Sequence, residues 1–126
     1  MKILVFGNLS EEKDSLALRI LPRLKKEFPD IDFKELDPTE NLESEIENGK
    51  LTILDVVEGI KKTTIIKDIE QLKTDKVYSM HDFDLGFNLK LLQKIGKLKE
   101  ITVIGLPMNM REEKAMIEIK KIIKFL

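Results

Sequence analysis

Leu51-Thr52-Ile53-Leu54-Asp55-Val56-Val57 is an apolar run interrupted by one threonine and one carboxylate. A short run of this kind, rich in Ile, Val and Thr, reads as a strand. It is continuous rather than alternating, so both of its faces are covered, as in the centre of a mainly parallel sheet. Within such a strand Asp55 is an anomaly. Burying an ionised carboxylate is expensive unless a cation, hydrogen bonds or a strand-end position compensates. The plainer role for it is an acid at the strand tip that caps a loop.

On the amino side, Lys2–Phe6 has the same continuous apolar character and reads as a first strand, broken by Gly7-Asn8. Ala17, Ile20, Leu21, Leu24 and Phe28 then recur on one helical face; Pro22 within them predicts a kink or a later helix start. Ile31–Leu36 reads as a second strand, at an edge. Asp37-Pro38-Thr39-Glu40 is a helix start, with Asp37 as cap and Pro38 at the first position, and Gly49 is expected to end that short helix. On the carboxyl side, Lys62–Lys67 is a short strand whose flanking lysines suit an edge. Asp82 or Asp84 can cap a helix whose Leu85, Leu89, Leu92 and Ile95 share a face. Glu100–Leu106 is the last strand, stopped by Pro107. Asn109 and Glu112 read as a capping box, opening a helix that packs Ala115, Met116, Ile119, Ile122, Ile123 and Leu126. Strands alternating with helices predict an α/β fold.

The 126 residues suit one domain spanning 1–126. Cys is absent, which excludes a Cys nucleophile, an Fe–S cluster and a thiolate metal site. Basic residues (22) nearly cancel acidic ones (23), so no single-sign field points to nucleic acid or to an anionic membrane. No apolar run approaches the ~20 residues that span a bilayer. The apolar start is too short for a signal peptide, and the expectation is a cytoplasmic protein.

Ligands of open α/β sheets bind at the carboxyl ends of the strands. Three segments bring reactive residues there: Gly7-Asn8-Leu9-Ser10-Glu11-Glu12-Lys13-Asp14, Asp55 itself, and His81, the single histidine. Each also has a plainer role. Acids enrich the first turn of helices for dipole reasons, and a lone histidine is more often incidental than a ligand. Other chemistries find no support: there is no dinucleotide fingerprint, no Walker A sequence and no Gly-x-Ser-x-Gly. Lys120, Lys121 and Lys124 read as the solvated face of the last helix. Two carboxylates and an imidazole from three loops compose a plausible oxygen/nitrogen site for Zn or Ni, with positions left open for water or a partner's groups.

These residues resemble the hydrogenase maturation endopeptidases, which process the large subunits of nickel–iron hydrogenases. The resemblance runs through Ile3–Phe6, Gly7-Asn8-Leu9, Asp14 and Leu18-Arg19-Ile20; through Asp55 at the end of an apolar strand; and through His81, Leu85–Leu92 and Val103-Ile104-Gly105. Ser15 and Ala17 stand where the family often has a glycine pair, and Lys13 where it often has a second acid. The resemblance implies a three-layer sandwich: a five-stranded, mainly parallel twisted sheet with one antiparallel edge strand, flanked by helices. It implies Asp14, Asp55 and His81 as ligands of a nickel ion carried by the substrate, with Asp14 and Asp55 also catalytic. Zinc or cadmium would substitute in the isolated protein. The implied partner is a hydrogenase large-subunit precursor, from which a C-terminal extension is cut, and the expected state is a monomer.

Two other readings fit the residues. One is a non-catalytic module of flavodoxin-like or receiver-like fold, using the acids as a phosphoacceptor pocket; it lacks the paired acid after the first strand, where Gly7-Asn8 stand, and the Lys after the last, where Leu106-Pro107 stand. The other is a hydrogenase-assembly chaperone that binds the precursor without cutting it.

Overall fold

The Asp55 run is the middle of the sheet. A computed structural model describes residues 1–6, 15–36, 42–67, 78–79 and 89–126. In chain order these form β1 (Lys2–Val5), α1 (Leu16–Glu27), β2 (Asp32–Glu35), a 3-10 turn (Glu43–Glu45), β3 (Lys50–Glu58), β4 (Thr64–Ile66) and β5 (Tyr78–Ser79). A helix over 89–94 (α2), then β6 (Glu100–Pro107) and α3 (Glu112–Ile123), complete the described chain.

The main sheet has the order β2-β1-β3-β6-β4. Its first four strands are mutually parallel; β4 closes the edge antiparallel to β6, with Thr64 opposite Gly105 and Ile66 opposite Val103. The expected antiparallel edge strand is therefore the Lys62–Lys67 segment. The two-residue β5 adds an antiparallel pairing at the end of β3, Ser79 opposite Val57. Because β6 accompanies β3 to Val57 on one side, β5 occupies the other side, beyond the end of β1.

Strand alternation sorts the core into two faces. Ile3, Val5, Leu54, Val56, Ile104 and Leu106 pack with the apolar faces of α1 and α3. Leu4, Phe6, Leu51, Ile53, Ile101 and Val103 pack with Leu89 and Leu92 of α2 and with Leu42. Covering both faces is what makes the strand sequences continuous rather than alternating, and it produces the three layers.

Five local expectations are corrected. Pro22 does not delay α1, which starts at Leu16 and continues through it to Glu27; Pro22 itself is exposed. Gly49 ends no helix. The described part of that segment is the 3-10 turn, followed by a hairpin turn in which Glu47 and Lys50 exchange both backbone hydrogen bonds (3.1 and 2.9 Å). Asn48 and Gly49 have φ of 54° and 76°, the left-handed pair that a two-residue type I′ turn demands. Ile95 lies outside the buried face at 55% exposure, because α2 has already stopped: Gly96 at φ 80° and the bond from Lys97 N–H to the Leu92 carbonyl (3.0 Å) form a Schellman cap. The Asn109–Glu112 capping box does not form; Arg111 is the N-cap, without a side-chain bond. Leu126 falls beyond α3 and is 37% exposed. Asp37–Glu40, Asp82, Asp84 and Leu85 lie outside the described residues.

Candidate functional site

Strand order defines where this fold can hold a ligand. From β1 the chain passes outward to β2, and from β3 it passes the opposite way to β6 and β4. The reversal falls between β1 and β3, and the crevice beyond their carboxyl ends is the usual binding place of a doubly wound sheet.

Asp55 stands at that point. It is fully buried (0% exposed), and its Oδ1 accepts the N–H of Val56 at 2.8 Å. Along the strand it follows Leu51 and Ile53 on the face that packs with α2. On one flank Phe6 continues the β1 pairing, its N–H donating to the Leu54 carbonyl at 3.0 Å. On the other flank the opposed residue is Gly105. A Cβ at Gly105 would lie 2.9 Å from Cγ2 of Val57, so the absence of a side chain there lets Val57 close over the β3–β6 pair. A carboxylate so placed has a hard oxygen donor's chemistry, suited to a divalent cation or to taking a proton from a water.

Asp14 and His81 lie outside the described residues. The described residues nearest them in sequence are Ser15 and Ser79. Ser79 pairs with Val57, two residues beyond Asp55, and Ser15 is buried at the start of α1, its Oγ accepting from Nε of Arg19 at 3.0 Å. Among the described residues no three His, Cys, Asp or Glu are grouped as a metal site.

A second acid is buried at the opposite end of the sheet. The Glu45 carboxylate receives the ammonium of Lys2 (2.8 Å) and that of Lys34, and Lys2 also reaches Glu47 at 3.4 Å. Hydrogen bonds from Lys2 and Lys34 hold the Glu45 carboxyl below its ordinary range, and Glu45 raises the Lys2 ammonium. Its place beside the amino ends of β1 and β2 removes it from the ligand-binding edge, and its role is to tie strands together. Sequence reading passed over Phe6 and Gly105 as neighbours of Asp55, and Glu45 as a buried acid elsewhere in the fold. For Gly105 a signal existed, a glycine within an otherwise β-branched strand, which marks close approach. Lys120 was read as merely solvated; it pairs with Glu27 across α1 and α3 at 2.9 Å.

The described architecture is that of a doubly wound, three-layer α/β protein with a buried carboxylate at the switch point. The solved structures that share it include two peptidases. One is an endopeptidase from Escherichia coli, whose solution structure matches with a TM-score of 0.60 and 24% identity over 94% of this chain and 86% of that one. The other is the hydrogenase 3 maturation protease, matched with a TM-score of 0.59 and 16% identity over 96% and 87%. At such identities the likeness is one of fold: this chain has the fold of those two proteases across nearly its whole length. No protein-family model matches the sequence, and no curated protein does. No described helix is long and apolar enough to cross a membrane.

Proposed function

We propose that this protein is an endopeptidase that removes a C-terminal extension from a nickel-loaded hydrogenase large-subunit precursor, with Asp14, Asp55 and His81 taking the precursor's nickel. The observation that carries the reading is Asp55: a fully buried carboxylate at the switch point of a fold shared with two proteases. The pairing of Ser79 beside the end of β3 supports convergence of the His81 segment on the same edge.

In this reading the metal is substrate cargo, and docking on it makes cutting conditional on metal loading. Fixing the scissile bond beside the carboxylates supplies much of the rate through proximity. Asp55 or Asp14 takes a proton from the attacking water as the water oxygen bonds to the scissile carbonyl carbon. The same proton then passes to the departing amine, and the C–N bond breaks. With no Cys and no Gly-x-Ser-x-Gly in the chain, no acyl-enzyme is expected, and water is the nucleophile in this reading. Nickel held by Asp14, Asp55 and His81 would supply either recognition alone or Lewis-acid polarisation of the carbonyl or the water. Zinc or cadmium takes its place in the isolated protein.

The test has two parts. Calorimetric titration with Ni²⁺ and Zn²⁺ is expected to show binding near one equivalent that disappears in Asp55→Ala and in His81→Ala. Co-expression with a large-subunit precursor, followed by intact-mass analysis, is expected to show the shortened product for wild type and a loss of about 10²–10⁴ in processing rate for Asp55→Asn. Wild-type processing by Asp55→Asn would sink the assignment of Asp55. A precursor bound by wild type but left uncut would favour the assembly-chaperone reading.

A further inference from the structure

A cleft of about 420 Å³ opens at the carboxyl ends of β3 and β6, between the turn after β3 and the segment leading into α3. Val57, Met108 and Met110 are among the residues that line it. Oγ1 of Thr63 donates to Sδ of Met110 at 3.6 Å, which ties the two loops together. The described charged residues that line the cleft are all positive: Lys61, Arg111 and Lys114. In a chain whose acids slightly outnumber its bases, this is a marked local imbalance. Among the described residues, Lys61, Arg111 and Lys114 form no ion pair.

The cleft adjoins the candidate site. Val57 lies two residues along β3 from Asp55 on the same face, roughly 7 Å away at the strand rise. An extended peptide advances about 3.3–3.6 Å per residue. A chain whose scissile bond lay at Asp55 would therefore bring the residue two to four positions away into the cleft.

We infer that this cleft is a specificity subsite for an acidic stretch of the peptide substrate, flanking the bond that is cut. Three exposed cations lining the cleft complement carboxylates, while its methionines adapt to side chains of varied shape. The inference rests on the peptidase reading for its place in the reaction, but the binding it requires can be measured without any cleavage.

The probe is a fluorescein-labelled decapeptide of alternating Glu and Ala, read by fluorescence anisotropy, with a Gln/Ala decapeptide and a labelled thymidine oligonucleotide of equal net charge as comparators. Wild type is expected to bind the acidic peptide at least tenfold more tightly than either comparator, and less tightly as salt rises. The double variant Lys61→Glu/Lys114→Glu, and separately Arg111→Gln, are expected to lose at least tenfold and threefold in affinity; all three side chains are exposed, and circular dichroism checks that the fold is kept. Equal binding of the acidic and Gln peptides, equal binding of the oligonucleotide, or undiminished affinity in the double variant would overturn the proposal. If wild type leaves every precursor uncut while the charge-reversed variant still loses the acidic peptide, the peptidase reading fails and the cleft stands as an acidic-peptide site.

Discussion

Glu45 carries two ammonium groups on one carboxylate, and the direction of its shift fixes how it responds to pH. Its folded-state value is depressed, chiefly by the hydrogen bond from Lys2 and then by that from Lys34. Its contribution is therefore complete above the unfolded carboxyl value of about 4.3 and is lost as pH falls through the lower folded value. Lys2 is raised, chiefly by Glu45, so its share is complete below about 10.4 and is lost as pH rises through the folded value. Glu45→Gln is expected to lower unfolding free energy at pH 7 by about 1–2 kcal/mol, the modest figure reflecting the half-exposed Lys34. Urea titrations of the variant at pH 7 and pH 3.5 are expected to differ less than those of wild type. A gap between the two pH values as large as wild type's would remove Glu45 from the account. Asp55 was visible in the sequence because a carboxylate inside an apolar run contradicts its surroundings. Glu45 was not, since an acid in an acidic, polar stretch contradicts nothing until Lys2 and Lys34 arrive from distant strands.

At the scale of the element, the central pair β3–β6 is fitted around Gly105. A Cβ there would lie 2.9 Å from Cγ2 and 3.4 Å from Cβ of Val57, and Val57 is itself buried, so one of the two must shift. Gly105→Ala is expected to cost about 1–3 kcal/mol, and Val57→Ala in the same chain to recover part of it, a coupling that a double-mutant cycle in urea detects. Strict additivity of the two changes would mean that the contact is not the cause. Strands were the legible elements, because continuous apolar runs bounded by breakers admit few alternatives. Ends and turns were less so. Asn48-Gly49 carries the strongest hairpin signal a dipeptide can, yet Gly49 also suits a helix end, and a short acidic segment before it fits either. The start of α3 was misread because Asn109 and Glu112 have the right spacing for a box, while the local chain begins its first turn at Glu112.

Over the whole molecule, one sheet separates two cores and joins them mechanically. Leu24 belongs to the core under α1 and α3, Ile53 to the core under α2, and both are fully buried. Leu24→Ala and Ile53→Ala are each expected to cost about 2–5 kcal/mol and to shift one common urea transition, because neither face can persist once the strands part. Separate transitions seen by far-UV dichroism and by tyrosine fluorescence would show that the faces come apart independently. The layered architecture followed from alternating strands and helices, but the site did not follow so far. Sequence order can nominate Asp14, Asp55 and His81; whether such residues meet depends on the paths of the segments between them, and such paths leave little periodic trace in a sequence.

The adjacency of β3 and β6 also sets a clock. The two strands are neighbours along their whole length, yet the ribosome makes Gly105 roughly fifty residues after Asp55, about 3–10 s later at ordinary rates of synthesis. Through that interval the strand that carries Asp55 is open along the edge that β6 later covers. A nascent chain of this kind has no finished sheet centre until β6 has been translated and has paired with β3.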